Sequence, residues 1–248
     1  MGDVRDGVVS DLAPGGVLRA AINLGNPVLT QGTPAAPAGV AVDTARELGA
    51  RLGLAVDLVC HAAARHSLAA MLRGDADICF LAIEPARAAE VAFTAPYVVI
   101  EGTFVVREDS GITTLADVDR EHVRIGVNEG SAYDLFLSRT LKRASVVRGQ
   151  DGIGVFRRQG LEAGAGIRQP VTDFVAGNPG FRMIDERFMQ IRQAVGTTRT
   201  RAPGTVRYLA AAVEELKASG FIAEALRRSG QDTALVAPPE PEPPEPPA

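Results

Sequence analysis

Strand-like and helix-like segments alternate along this chain with joints of only a few residues, and that alternation excludes most folds. VLRAAIN (17–23) reads as a strand and is followed by a Gly/Pro/Asn/Thr-rich loop. GVAVDTARELGARLG (39–53) then places Val42, Ala45, Leu48 and Leu52 at helical spacing. LAVDLVCH reads as a strand, HSLAAMLRGD as a helix and ADICFLAI as a strand, which makes βαβαβ. Consecutive parallel strands need a helical crossover, so this order predicts mainly parallel sheet covered by helices.

A second set of elements follows the extended run YVVIEGTFVVRED. VRIGVN, SVVRG and AGIRQP read as strands, while SAYDLFLSRTLK, IGVFRRQGLEAG and TDFVAGN read as helices. FRMIDERF and MQIRQAVGTT read as extended, and RYLAAAVEELKASGFIAEALRRSG reads as one long amphipathic helix packing back on the first set. Two α/β lobes result, with the chain crossing between them twice. The expected division is 16–102 with 193–233 for the first lobe and 103–192 for the second, after an N-terminal extension (1–15). Residues 237–248, rich in Pro and Glu, are expected to be a disordered tail.

At 248 residues with 46% hydrophobic and 23% charged side chains, the chain can bury a core in each lobe. Its net charge of −4 gives no overall attraction to nucleic acid or anionic membrane. Apolar runs are broken by Pro96, Glu101 or Arg107 before they reach the roughly 18 residues that span a bilayer, so no membrane insertion is expected. His61, His66 and His122 lack metal-ligand spacing, and no metal or cofactor is expected. Cys60 and Cys79 each sit in an apolar strand and read as buried thiols without a disulfide. The N-terminus MGDVRDGVVSDLAPGG lacks the basic and apolar regions of a secretory signal. As written, the chain is expected in the cytoplasm, or in the periplasm if a leader has been removed from it.

The stretch DADICFLAIEPARAAEVAFTAPYVV carries a resemblance. Asp77 starts a strand, Arg87 lies in a short helix after a loop, and Phe93-Thr94-Ala95-Pro96-Tyr97 leads onward. In these features the chain resembles extracellular solute-binding protein family 3, the two-lobed receptors that deliver amino acids to ABC transporters, over about Gly16 to Gly230. The resemblance implies a type II periplasmic-binding-protein-like α/β fold with a double hinge crossing. It also implies a monomer that closes over a small ligand and docks on a transporter permease.

The resemblance implies that Arg87 meets a ligand carboxylate, a pairing suited to the guanidinium fork. Ala82 stands where the family often has a hydroxyl, and Glu84 is expected to line the cleft instead. Ser131 caps a helix whose free N–H groups, with the Ala132 N–H, form an anion site. Asn23 and Asn26 take the place of an aromatic wall. In LEAGAGIRQPV the family places an Asp that receives the ligand's ammonium, whereas this chain has Arg168 there. Arg87 and Arg168 facing one another across the cleft select a small anion, a dicarboxylate or keto acid, over an ordinary amino acid. The alternatives are a cyclohexadienyl-dehydratase-like enzyme with Glu84 and Glu129 as general acids, and a ligand-sensing module.

Overall fold

The computed structural model describes residues 2–240. In chain order the elements are α1 (Gly2–Leu12), β1 (Val17–Asn23), β2 (Gln31–Thr33), β3 (Ala36–Ala38), α2 (Val40–Leu52), β4 (Ala55–His61), α3 (Ala64–Leu72), β5 (Ile78–Ala82), α4 (Pro85–Ala88) and β6 (Val91–Arg107). There follow α5 (Leu115–Val118), β7 (Arg124–Asn128), α6 (Ala132–Thr140), β8 (Ser145–Gly149), α7 (Gly152–Gln159), β9 (Ala163–Ile167) and α8 (Arg168–Gly177). The last elements are β10 (Phe181–Met183), β11 (Met189–Thr198), α9 (Pro203–Ala218) and α10 (Phe221–Arg228).

Nine strands form one sheet whose main path runs β4-β1-β5-β11-β6-β9-β7-β8, with β10 paired to β6. β1 is parallel to β4 and β5, and β7 is parallel to β8 and β9. β6 and β11, antiparallel to each other, stand between these two parallel groups. β6 has 17 residues, about 55 Å of extended chain, so its first part pairs with β11 and its last part with β9 and β10. The two expected crossings fall inside β6 and β11. The bulk of the fold is thus the α/β arrangement that the alternation predicts, matching the two-lobed class.

Helix α2 shows how the sequence pattern becomes packing. Val42, Ala45, Leu48 and Leu52 are all buried against the core, and Gly53 ends the helix at φ 71, a left-handed conformation that glycine adopts without a Cβ clash. The long helix expected after residue 207 is two helices, because Gly220 takes φ 77 and turns the chain between α9 and α10. The N-terminal extension is helical: α1 packs on α9 and buries Val8 and Leu12 in the same core. The first residues of the expected tail, 237–240, lie within the described part. The Ala237 N–H donates to the Tyr97 carbonyl at 3.0 Å, and the Lys217 ammonium donates to the carbonyls of Pro96 and Pro238, so residues up to Glu240 lie against β6. Residues 241–248 fall outside the described part. Cys60 and Cys79 are both free thiols, and no described helix is long and apolar enough to cross a membrane.

Candidate functional site

The carboxyl ends of the parallel strands converge on a cavity of about 50 Å³ between the two halves of the sheet. Such strand ends, where connections diverge, are where open α/β sheets leave a crevice. β1 supplies Asn23 and the loop after it Asn26; β5 supplies Leu81 and Ala82, and α4 supplies Arg87. From the other half come Asn128, the first residues of α6 and Ile167, while β11 contributes Ile191 and Gln193.

Arg87 is the only formally charged residue in this wall. It is 3% exposed, and its guanidinium donates to the Ala82 carbonyl at 3.1 Å and to the Gly130 carbonyl of the opposite half at 2.9 Å. Among the described residues no carboxylate forms an ion pair with it. Burial lowers its pKa from the ordinary value, with the nearby Glu84 charge opposing the shift, yet a guanidinium stays protonated, so the cavity holds a desolvated cation that no carboxylate contacts directly.

The start of α6 faces the same space. The Ser131 hydroxyl accepts from the Asp134 N–H at 3.1 Å, the expected cap, and keeps its own proton to donate. The first N–H groups of a helix have no acceptor within it, so Ala132 and Tyr133 bring donors to the wall that Arg87 approaches from the other side. Asn23 and Asn26 also line the cavity. Each carbonyl oxygen is used locally, Asn23 Oδ1 accepting from the Gly25 N–H at 3.0 Å and Asn26 Oδ1 from the Val28 N–H at 3.2 Å, which leaves their amide N–H groups for a guest.

Of the expected site residues, Asn23, Asn26, Ala82, Arg87, Ser131 and Ala132 therefore come together, and Glu84 and Arg168 do not. Glu84 is buried, but its carboxylate accepts from Arg139 of α6 at 3.0 Å and lies outside the cavity wall. It joins the two halves rather than lining the space between them. Glu129 pairs with Arg65 at 3.5 Å, also across the halves and also outside the wall.

Arg168 is turned away because β9 ends one residue before it. Side chains alternate along a strand, so Ile167 faces the cavity, and Arg168 opens α8 pointing elsewhere. Its guanidinium donates to Glu101 at 2.6 Å and to the Asp185 carbonyl at 2.7 Å. Arg187 donates to the same carboxylate at 2.8 Å. Burial opposes ionisation of Glu101, but hydrogen bonds from Arg187 and Arg168 outweigh it and hold the carboxyl below its usual range. No pair of guanidiniums faces across the cavity. Arg168→Ala is accordingly expected to change ligand affinity less than twofold while lowering stability by about 1 kcal/mol or less, since Arg187 still serves Glu101. Calorimetric titration and a thermal melt of the variant check both halves of that statement.

Asn128, Ile167, Ile191 and Gln193 line the cavity without having been singled out from the sequence. Period-two alternation in MQIRQAVGTT could have paired Ile191 with Gln193 on one face, but which face meets the cavity depends on partners far along the chain.

The sequence profile described as bacterial extracellular solute-binding proteins, family 3, matches residues 18–231. No curated protein sequence matches the chain significantly. Among solved structures, the P235GK mutant of ArgBP from T. maritima superimposes with a TM-score of 0.74 at 21% identity, covering 90% of this chain and 99% of that one. The amino acid ABC transporter substrate-binding protein AbpA from Streptococcus pneumoniae, bound to L-arginine, gives 0.74 at 17% identity over 88% and 96%. The ancestral amino acid-binding protein AncCDT-1, a precursor of cyclohexadienyl dehydratase, gives 0.72 at 18% over 89% and 99%. At these identities the likeness is one of fold.

Proposed function

This chain belongs to the bacterial extracellular solute-binding proteins, family 3, and we propose from that premise that it captures a small carboxylate lacking an ammonium group for an ABC-type transporter. The observation that carries the reading is Arg87, a buried cation without a carboxylate partner in a wall that contains no acid. A ligand carboxylate supplies the missing charge through a two-pronged, charge-assisted contact. The N–H groups that open α6, with the Ser131 hydroxyl, receive its other side.

Solved relatives are described as bound to L-arginine, so an amino acid is the natural competitor. Its ammonium would need an acceptor of opposite charge, and this wall offers only neutral amides and hydroxyls beside Ile167, Ile191 and Leu81. With Arg168 outside, one guanidinium serves one carboxylate, which favours a keto or hydroxy acid over a dicarboxylate.

Closure follows from the same contacts. Arg87 stands on the first half and already reaches the Gly130 carbonyl of the second, so a carboxylate held between Arg87 and α6 stabilises the closed arrangement over an open one. The Glu84–Arg139 and Arg65–Glu129 pairs add cross-cleft attraction that salt weakens. Capture would take place on the outer side of the membrane, the location that the family's description carries.

Calorimetry with pyruvate, lactate, propanoate, succinate, alanine and arginine tests the reading. Binding of the small monocarboxylates with none of the amino acids is expected. Tight binding of alanine or arginine with no response to the acids would end it.

A further inference from the structure

We infer that Gln193 sets specificity by reading an oxygen substituent on the bound acid, selecting 2-oxo or 2-hydroxy acids over plain carboxylates. This rests on the carboxylate reading of the same cavity and adds what the rest of the ligand carries.

Gln193 lies at the centre of the sheet, its backbone in register with Ala82 of β5 on one side and Val98 of β6 on the other. That double pairing fixes its position. Ile191, two residues earlier, faces the cavity with it, while Arg192 between them lines a separate cleft behind the hinge strands. The pairing of β11 with β6 shifts register immediately after Gln193, an irregularity of the kind that re-aims a side chain next to a site.

The side chain is 5% exposed and lines the cavity, and among the described residues its amide makes no hydrogen bond to the protein. Buried polar neighbours on the same strands behave differently: the Thr197 hydroxyl donates to the Asp77 carbonyl at 2.8 Å and the Thr94 hydroxyl to the Ala95 carbonyl at 2.7 Å. An amide at a cavity wall with no protein partner is open to one supplied by a guest. A primary amide both donates and accepts. It matches a carbonyl or hydroxyl oxygen, and being neutral it cannot balance an ammonium. Gln193 pairs with Ala82, whose carbonyl accepts from Arg87, so an oxygen read by Gln193 lies close to the carboxylate that Arg87 holds.

The test compares pyruvate, lactate and propanoate on the full chain and on Gln193→Met, which keeps length and removes both polar functions. The intact protein is expected to bind pyruvate or lactate at least tenfold tighter than propanoate. Gln193→Met should shrink that preference below threefold by weakening pyruvate and lactate more than propanoate, and should melt no lower than the parent when empty, since no protein hydrogen bond is lost. Preference retained in Gln193→Met, or equal binding of all three acids by the intact protein, overturns the role of Gln193 while leaving carboxylate capture intact. Failure of the intact protein to bind any of the three overturns both.

Discussion

Replacing Arg87 with Met is expected to weaken binding of small acids at least thirtyfold while leaving the empty protein's melting temperature within a few degrees of the parent. Removing one member of a buried, hydrogen-bonded charge pair costs about 2–5 kcal/mol of binding, which spans roughly thirtyfold to several thousandfold. In the empty protein the balance is different. Arg87 is buried without an ion-paired carboxylate, and exchanging a buried charge for an apolar side chain of similar size is often neutral or stabilising. The loss there is confined to two hydrogen bonds, to the carbonyls of Ala82 and Gly130. Arg87→Lys should fall between, because an ammonium keeps the charge but not the planar fork. Calorimetry and thermal melts on both variants separate these effects. Unchanged acid affinity in Arg87→Met would remove the basis of the proposed function.

What could be read from the sequence follows the range of the interactions. The βαβ order, the buried face of α2 and the cap at Ser131 are set by residues within one or two turns of each other, and they are where the spacing puts them. Arg87 was found through the family resemblance that the segment from Asp77 to Tyr97 carries. Arg168 was misplaced by a single residue, and in a strand one residue is the difference between facing the cavity and facing away. Gly166 and Pro170 bracket the junction of β9 with α8 but leave its position open by a residue or two, and Ile167 ends one element while Arg168 opens the next. Glu84 was misread for another reason: its partner Arg139 is 55 residues away and on the other half, so nothing near it in sequence shows that its charge is already engaged. Gln193 was missed because its face is fixed by pairing with Ala82 and Val98, both about a hundred residues earlier. The tail's first residues escaped notice likewise, being held by Lys217 and Tyr97 rather than by their own composition.

Ile167→Asp is expected to exchange one ligand class for another. Ile167 is the last residue of β9 and the cavity-facing side chain at the place where an ammonium-binding acid was sought. A carboxylate there puts a negative charge into a space whose only other formal charge is Arg87. A ligand that brings a second carboxylate then meets repulsion, and Arg87 is partly neutralised before it arrives. At an effective dielectric constant of about 20, two unit charges about 4 Å apart interact by about 4 kcal/mol, so acid affinity should fall at least a hundredfold. The same charge attracts an ammonium, and alanine or serine should bind where the parent ignores them. Burying an aspartate in place of isoleucine also destabilises the empty variant. Ligand-linked stabilisation gives the check: alanine should raise the variant's melting temperature and leave the parent's unmoved, with pyruvate doing the reverse. A variant that still prefers pyruvate and ignores alanine would show that position 167 does not meet the ligand, and the selection against amino acids would then need another cause.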